Sequence, residues 1–136
     1  MILINTTPQT LSNIGDPVVF NTNSMSRCNA NIRHRAGSGI VTVRGSGCVC
    51  NPARYRVSFH GNVSGLTGET QLAVYLNGEQ LPETVMSVVP AAAADALSID
   101  VETEVIADFG DSSVSVRTLT AGVTVNTASL IVERKA

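Results

Sequence analysis

The stretch ARYRVSFHGNV, residues 53–63, decides how the chain is read. Tyr55, Val57, Phe59 and Val63 fall on one side of a period-2 alternation, with Gly61 between the last two. Arg54, Arg56, Ser58, His60 and Asn62 fall on the other. Successive strand side chains point to opposite faces, so the stretch predicts a β-strand with one apolar and one polar face. The chain has only three Phe, two Tyr and no Trp, and two of these aromatics sit on this one apolar row. Such a strand belongs near the middle of a sheet.

Working outward, Thr70–Leu76 alternates with Leu72, Val74 and Leu76 on one face, and Asn77-Gly78 follows it. Both residues tolerate positive φ, so they predict a type I′ hairpin. Glu79–Val89 supplies the return strand, broken at Pro82, and Ala91–Ala94 is a loop or one short turn. Leu97–Val105 alternates with Leu97, Ile99, Val101 and Val105 inward and Ser98, Asp100, Glu102 and Glu104 outward. Val114–Leu119, Val123–Val125 and Ala128–Arg134 complete the second half, with turns at Gly110-Asp111 and Ala121-Gly122. On the N-terminal side, Ile40–Arg44, Ala30–Arg35 and Pro17–Phe20 read as shorter strands. Residues 1–16 are a polar lead-in broken by Pro8 and Gly15, an N-terminal arm in which Ile2–Ile4 pairs as an edge strand or reaches a neighbouring subunit. These elements predict an all-β protein, a two-sheet antiparallel jelly-roll sandwich of about ten strands over residues 17–136.

Composition agrees. A chain of 136 residues is one domain by default and long enough to bury a core of Val, Ile and Leu. No apolar run approaches the roughly 20 residues that span a membrane as a helix, so no membrane partner is expected. The start, MILINTTPQT, lacks a basic region followed by an apolar one, and the expected site of synthesis is a cytoplasm. Three cysteines, Cys28, Cys48 and Cys50, give an odd count that argues against a disulfide scaffold. Together with His34 they could be arranged as a zinc tetrad, but structural zinc sites pair close spacings on both sides and only one close pair is present. No metal and no cofactor is expected.

The order of elements resembles the jelly-roll domains of the complement-globular-head and tumour-necrosis-factor superfamily. The resemblance runs from about Val18 to Val132. It rests on Tyr55, Val57 and Phe59, on Leu72 to Gly78 with its Asn-Gly hairpin, on Leu97 to Gly110-Asp111 with Val114 to Val116, and on the closing strand Leu130 to Val132. Where those families place a glycine two residues before the Tyr, this chain has Ala53 after Pro52. The resemblance implies a trimer with one sheet facing its axis. Arg54, Arg56, Ser58 and His60, the polar row of the central strand, then become a candidate subunit interface; the competing reading is a solvated outer face. Small size, an Asn/Thr/Ser-rich surface and the lack of a catalytic motif also make the chain similar to accessory virion proteins of bacterial viruses. That likeness implies a capsid or tail protein as partner and the virion as location.

Catalytic chemistry is not suggested. Ser58 and His60 share a face, but no Gly-x-Ser-x-Gly elbow accompanies them. Asp95, Asp100, Asp108 and Asp111 fit no calcium-loop pattern. Charge, however, is segregated: residues 1–68 carry six arginines and one acid, and residues 69–136 carry three basic residues and ten acids. The arginines could neutralise phosphate. Few stacking aromatics and a net charge of −2 favour pairing with the carboxylates of the second half, within or between subunits, over nucleic acid. The expected function is therefore a non-enzymatic structural protein. The alternative is an adhesin module binding a carbohydrate or cell surface, with Tyr75 as its one candidate for stacking on a glycan.

Overall fold

The computed structural model describes residues 1–24, 31–48, 51–107 and 110–135. Among them, twelve strands follow in chain order: β1 (Ile2–Asn5), β2 (Gln9–Leu11), β3 (Thr22–Ser24), β4 (Ile32–His34), β5 (Val41–Val43), β6 (Ala53–Ser64), β7 (Thr70–Leu76), β8 (Glu79–Gln80), β9 (Met86–Val88), β10 (Leu97–Ala107), β11 (Ser112–Thr118) and β12 (Val123–Arg134). All pair antiparallel, in two sheets. The first has the order β10-β6-β12-β1-β3, with β2 also on β12; the second has the order β4-β5-β11-β7-β8, with β9 also on β7. The all-β jelly-roll sandwich predicted from alternation is what forms.

β6 lies between the two other long strands, with Phe59 opposite Val101 on one side and Leu130 on the other. Its apolar row faces the second sheet. Tyr55, Val57, Phe59 and Val63 are buried together with Leu130 and Val132 of β12, and with Val41, Val43, Leu72, Val74, Val114 and Val116 from across the sandwich. The glycine in that row has a packing reason: a Cβ on Gly61 would stand 3.0 Å from the Phe59 ring and 3.4 Å from the Thr127 carbonyl. Its absence lets the ring lie along the strand. The hairpin after β7 turns as expected, with φ of 53° at Asn77 and 82° at Gly78.

Residues expected in the N-terminal arm lie in the first sheet. Ile2–Asn5 is inserted between β12 and β3 of its own chain, and Gln9–Leu11 continues along β12 beyond it. Leu3 and Leu11 are buried in the core. The two strands run along the same side of β12, interrupted at Thr6, Thr7 and Pro8, where proline has no N–H to give a ladder. Opposite the break, β12 shifts register between Val125 and Thr127, which joins the two strands expected at 123–125 and 128–134 into one.

Two further differences have local causes. The strand expected at Pro17–Phe20 makes only isolated bridges, Pro17 to Arg117 and Phe20 to Ser38. Val18 donates to the Val116 carbonyl at 2.8 Å, and at Val19 the partner is a side chain: the Gln9 carboxamide donates to the Val19 carbonyl and accepts from the Val19 N–H, both at 2.9 Å. The return strand after the hairpin is split, as Pro82 suggested, into β8 and β9 around a single 3₁₀ turn at Pro82–Thr84. The buried Thr84 hydroxyl accepts the Val74 N–H at 2.9 Å and donates to the Leu81 carbonyl at 2.7 Å, replacing ladder bonds that the proline turn interrupts.

Candidate subunit interface

The outer face of the first sheet collects the polar row of β6 between β10 and β12. Arg56 lies opposite Glu104, Ser58 opposite Glu102, and His60 opposite Asp100. The arginines do not pair straight across. Each leans two residues along β10: Arg56 Nη2 reaches Glu102 Oε1 at 2.6 Å, and Arg54 Nη1 reaches Glu104 Oε1 at 3.2 Å. The second oxygen of Glu104 accepts from Lys135 Nζ at 2.9 Å. These hydrogen bonds from Lys135 and Arg54 hold the Glu104 carboxyl below the usual glutamate range. A third first-half arginine, Arg33, pairs with Asp111. Three arginines of the basic first half, Arg33, Arg54 and Arg56, are thus paired with acids of the second half within the chain.

The same face turns apolar toward β1. Ile131 lies opposite Ser58 on one side and Ile2 on the other, and Ile4 lies opposite Ser129, itself opposite His60. Ile2, Ile4 and Ile131 are half-buried. Sequence reasoning found Arg54, Arg56, Ser58 and His60 from their alternation, and the sheet brings them together as one row. It missed the isoleucine strip because that strip exists only once β1 is laid against β12.

Other residues singled out in the sequence are engaged elsewhere. Among the described residues no hydrogen bond joins the Ser58 and His60 side chains. His34 has both ring nitrogens on oxygens of this chain, Nδ1 on Asn23 Oδ1 and Nε2 on the Ser38 carbonyl. Cys48 is exposed, while Cys28 and Cys50 lie outside the described residues. Of the acids considered for calcium, Asp95 accepts the Ala92 N–H, Asp111 is held by Arg33, and Asp108 lies outside the described residues. Tyr75 is half-buried on the outer face of the second sheet, and the Arg117 guanidinium sits over its ring, 5.7 Å from the centroid.

Compared with known proteins, the chain matches no protein-family model and no curated sequence. Its fold is another matter. The Eiger TNF from S. frugiperda superposes with a TM-score of 0.68 over 100% of this chain and 92% of that one, at 10% identity. The globular domain of zebrafish complement 1qA gives 0.63 over 96% and 93%, at 14% identity. Murine APRIL at pH 5.0 gives 0.61 over 95% and 96%, at 13% identity. The fold is a C1q/TNF-type jelly roll. At these identities the likeness is one of architecture: a C1q/TNF-type jelly roll here stands on Val, Ile and Leu, with Tyr55, Phe20 and Phe59 as the largest fully buried side chains among the described residues.

Proposed function

We propose that this chain is a non-enzymatic structural protein, a homotrimeric jelly roll attached to a bacteriophage particle as a capsid decoration or as part of a fibre or tail. The observation that carries the reading is the outer face of the first sheet. Its arginines are already neutralised by Glu102 and Glu104, and a strip of Ile2, Ile4 and Ile131 runs beside Ser58 and His60. An apolar strip with a polar rim has the anatomy of a protein interface. Charges paired within the chain can be covered without stranding one of them. The C1q/TNF-type fold supports three-fold closure, since the resemblance implies a trimer with one sheet toward the axis. The partners are then other copies of this chain and a capsid or tail protein, with neither nucleic acid nor membrane involved.

Immunogold electron microscopy with an antibody against this chain, on particles from a producing strain, tests the attachment. Regular label on heads or tails is expected. Unlabelled particles from cells that make the protein would count against it.

A further inference from the structure

His34 ends β4 and is half-buried, on the side of the sandwich where the outermost strand of each sheet, β3 and β4, come together. Among the described residues no backbone ladder joins these two strands. A pair of side chains does so instead. Asn23 Nδ2 on β3 donates to the His34 carbonyl at 3.1 Å, and Asn23 Oδ1 meets His34 Nδ1. On the other side of the ring, Nε2 lies 2.7 Å from the Ser38 carbonyl. That carbonyl also accepts the Phe20 N–H at 3.3 Å, and the Gly37 N–H donates to the Phe20 carbonyl at 2.9 Å. The imidazole therefore sits between β3 and the turn that follows β4, with the edge-on ring of the buried Phe20 against it.

Donors and acceptors settle how many hydrogens the ring carries. A carbonyl only accepts, so Nε2 must bring a hydrogen to Ser38. The His34 carbonyl likewise requires the NH₂ end of Asn23, which leaves the amide oxygen facing Nδ1. That oxygen also only accepts, so Nδ1 must bring a hydrogen too. A neutral imidazole has one N–H, and both nitrogens donate only in the imidazolium. Removing the proton breaks one of these bonds whichever tautomer remains. Turning the Asn23 amide to suit a bare Nδ1 would set its oxygen against the His34 carbonyl. The charged groups around the ring are arginines: Arg33 and Arg35 line the surface hollow beside it with Ser38, Ile40 and Thr42, and Arg33 is paired with Asp111. Val41, opposite His34 on β5, and Phe20 bring no charge. The guanidiniums oppose a charge on the ring, so among the described residues the two oxygens are what hold the proton, and the hollow opens the ring to solvent.

We infer that His34 is a pH-sensitive clasp: protonated, it ties β4 both to β3 and to the Ser38 turn, and neutral, it lets one of them go. β3 has little else to hold it, since its ladder among the described residues is a three-residue pairing with β1. The inference rests neither on the trimer nor on attachment to a particle. Amide hydrogen exchange and NMR spectra of the histidine rings, taken on the full chain at about pH 5 and about pH 8, test it. At the lower pH His34 should show an N–H signal from each ring nitrogen. Either the β3 amides or the Gly37 amide, according to which bond is given up, should then be better protected than at the higher pH. After correction for intrinsic exchange the difference should be about tenfold, the contribution of one hydrogen bond. Asn23→Ala and His34→Gln should each remove that difference. Should either variant fail to fold, the wild-type ring spectrum still decides. A single ring N–H on His34 at about pH 5, equal protection of both sets of amides at the two pH values, or a pH dependence that survives Asn23→Ala would each overturn the assignment.

Discussion

The two sheets of this sandwich are built on different terms. The first is held by β6, β10 and β12, strands of 11 or 12 residues whose pairing runs nearly their full length. The second relies on pieces of two to seven residues, and its continuity is kept by side chains and a turn, as Thr84 shows between β8 and β9. Long alternation specifies register by itself, because a one-residue slip would turn Phe59 and Tyr55 out to solvent and Arg56 into the core. Short strands carry too little pattern for that and depend on single hydrogen bonds. The first sheet should therefore yield to loss of buried volume, and the second to loss of a single polar atom.

Phe59→Ala probes the first sheet and should have the largest effect. The ring is 1% exposed, so its removal should cost about 3–5 kcal/mol in chemical denaturation. A loss below about 1 kcal/mol would mean the sheet is not held by its apolar row. Thr84→Val probes the second. It keeps the side-chain volume and removes the hydroxyl, stranding the buried Val74 N–H, and should cost about 1–3 kcal/mol. A neutral result would show that this sheet, too, is held by packing alone.

Smaller effects are expected on the outer face. Arg56 and Glu102 are each about half exposed in the single chain, so Arg56→Ala should change monomer stability by only about 0–1 kcal/mol. A larger loss that depends on protein concentration would locate the pair inside an assembly. The smallest effect concerns acid. Because Glu104 is held below its ordinary range by Lys135 and Arg54, its contribution is fully present above the unfolded glutamate value. It is lost as pH falls through the lower, folded value. Glu104→Gln should flatten that acid-side slope in denaturation midpoints measured against pH, and an unchanged slope would show that these bonds do not persist in solution.

What could be read in advance follows the same division. Residues 53–63 and 97–105 predicted their strands and faces because period-2 alternation over many residues has one solution. Asn77-Gly78 predicted its hairpin because few residues accept two positive φ values. The place of the N-terminal strands in the sheet was not legible: Ile2–Asn5 is four residues long, and it takes its place between β12, more than a hundred residues away, and β3. Pro17–Phe20 misled because its backbone bonds go to two different segments, at Val116 and at Ser38, with a glutamine side chain on Val19 between them. The polar row of the candidate interface was visible from alternation alone, whereas the isoleucine strip beside it arises from strands that meet only in three dimensions.

Sedimentation equilibrium on the wild-type chain and on Ile131→Glu, across micromolar concentrations, tests the central claim most directly. Ile131 is half-buried on the outer face, so a glutamate there is tolerated by a single chain and disfavoured between chains. The wild type should sediment as three 14.2-kDa chains, and Ile131→Glu as one folded chain. A wild-type protein that sediments as a single chain throughout would contradict the account.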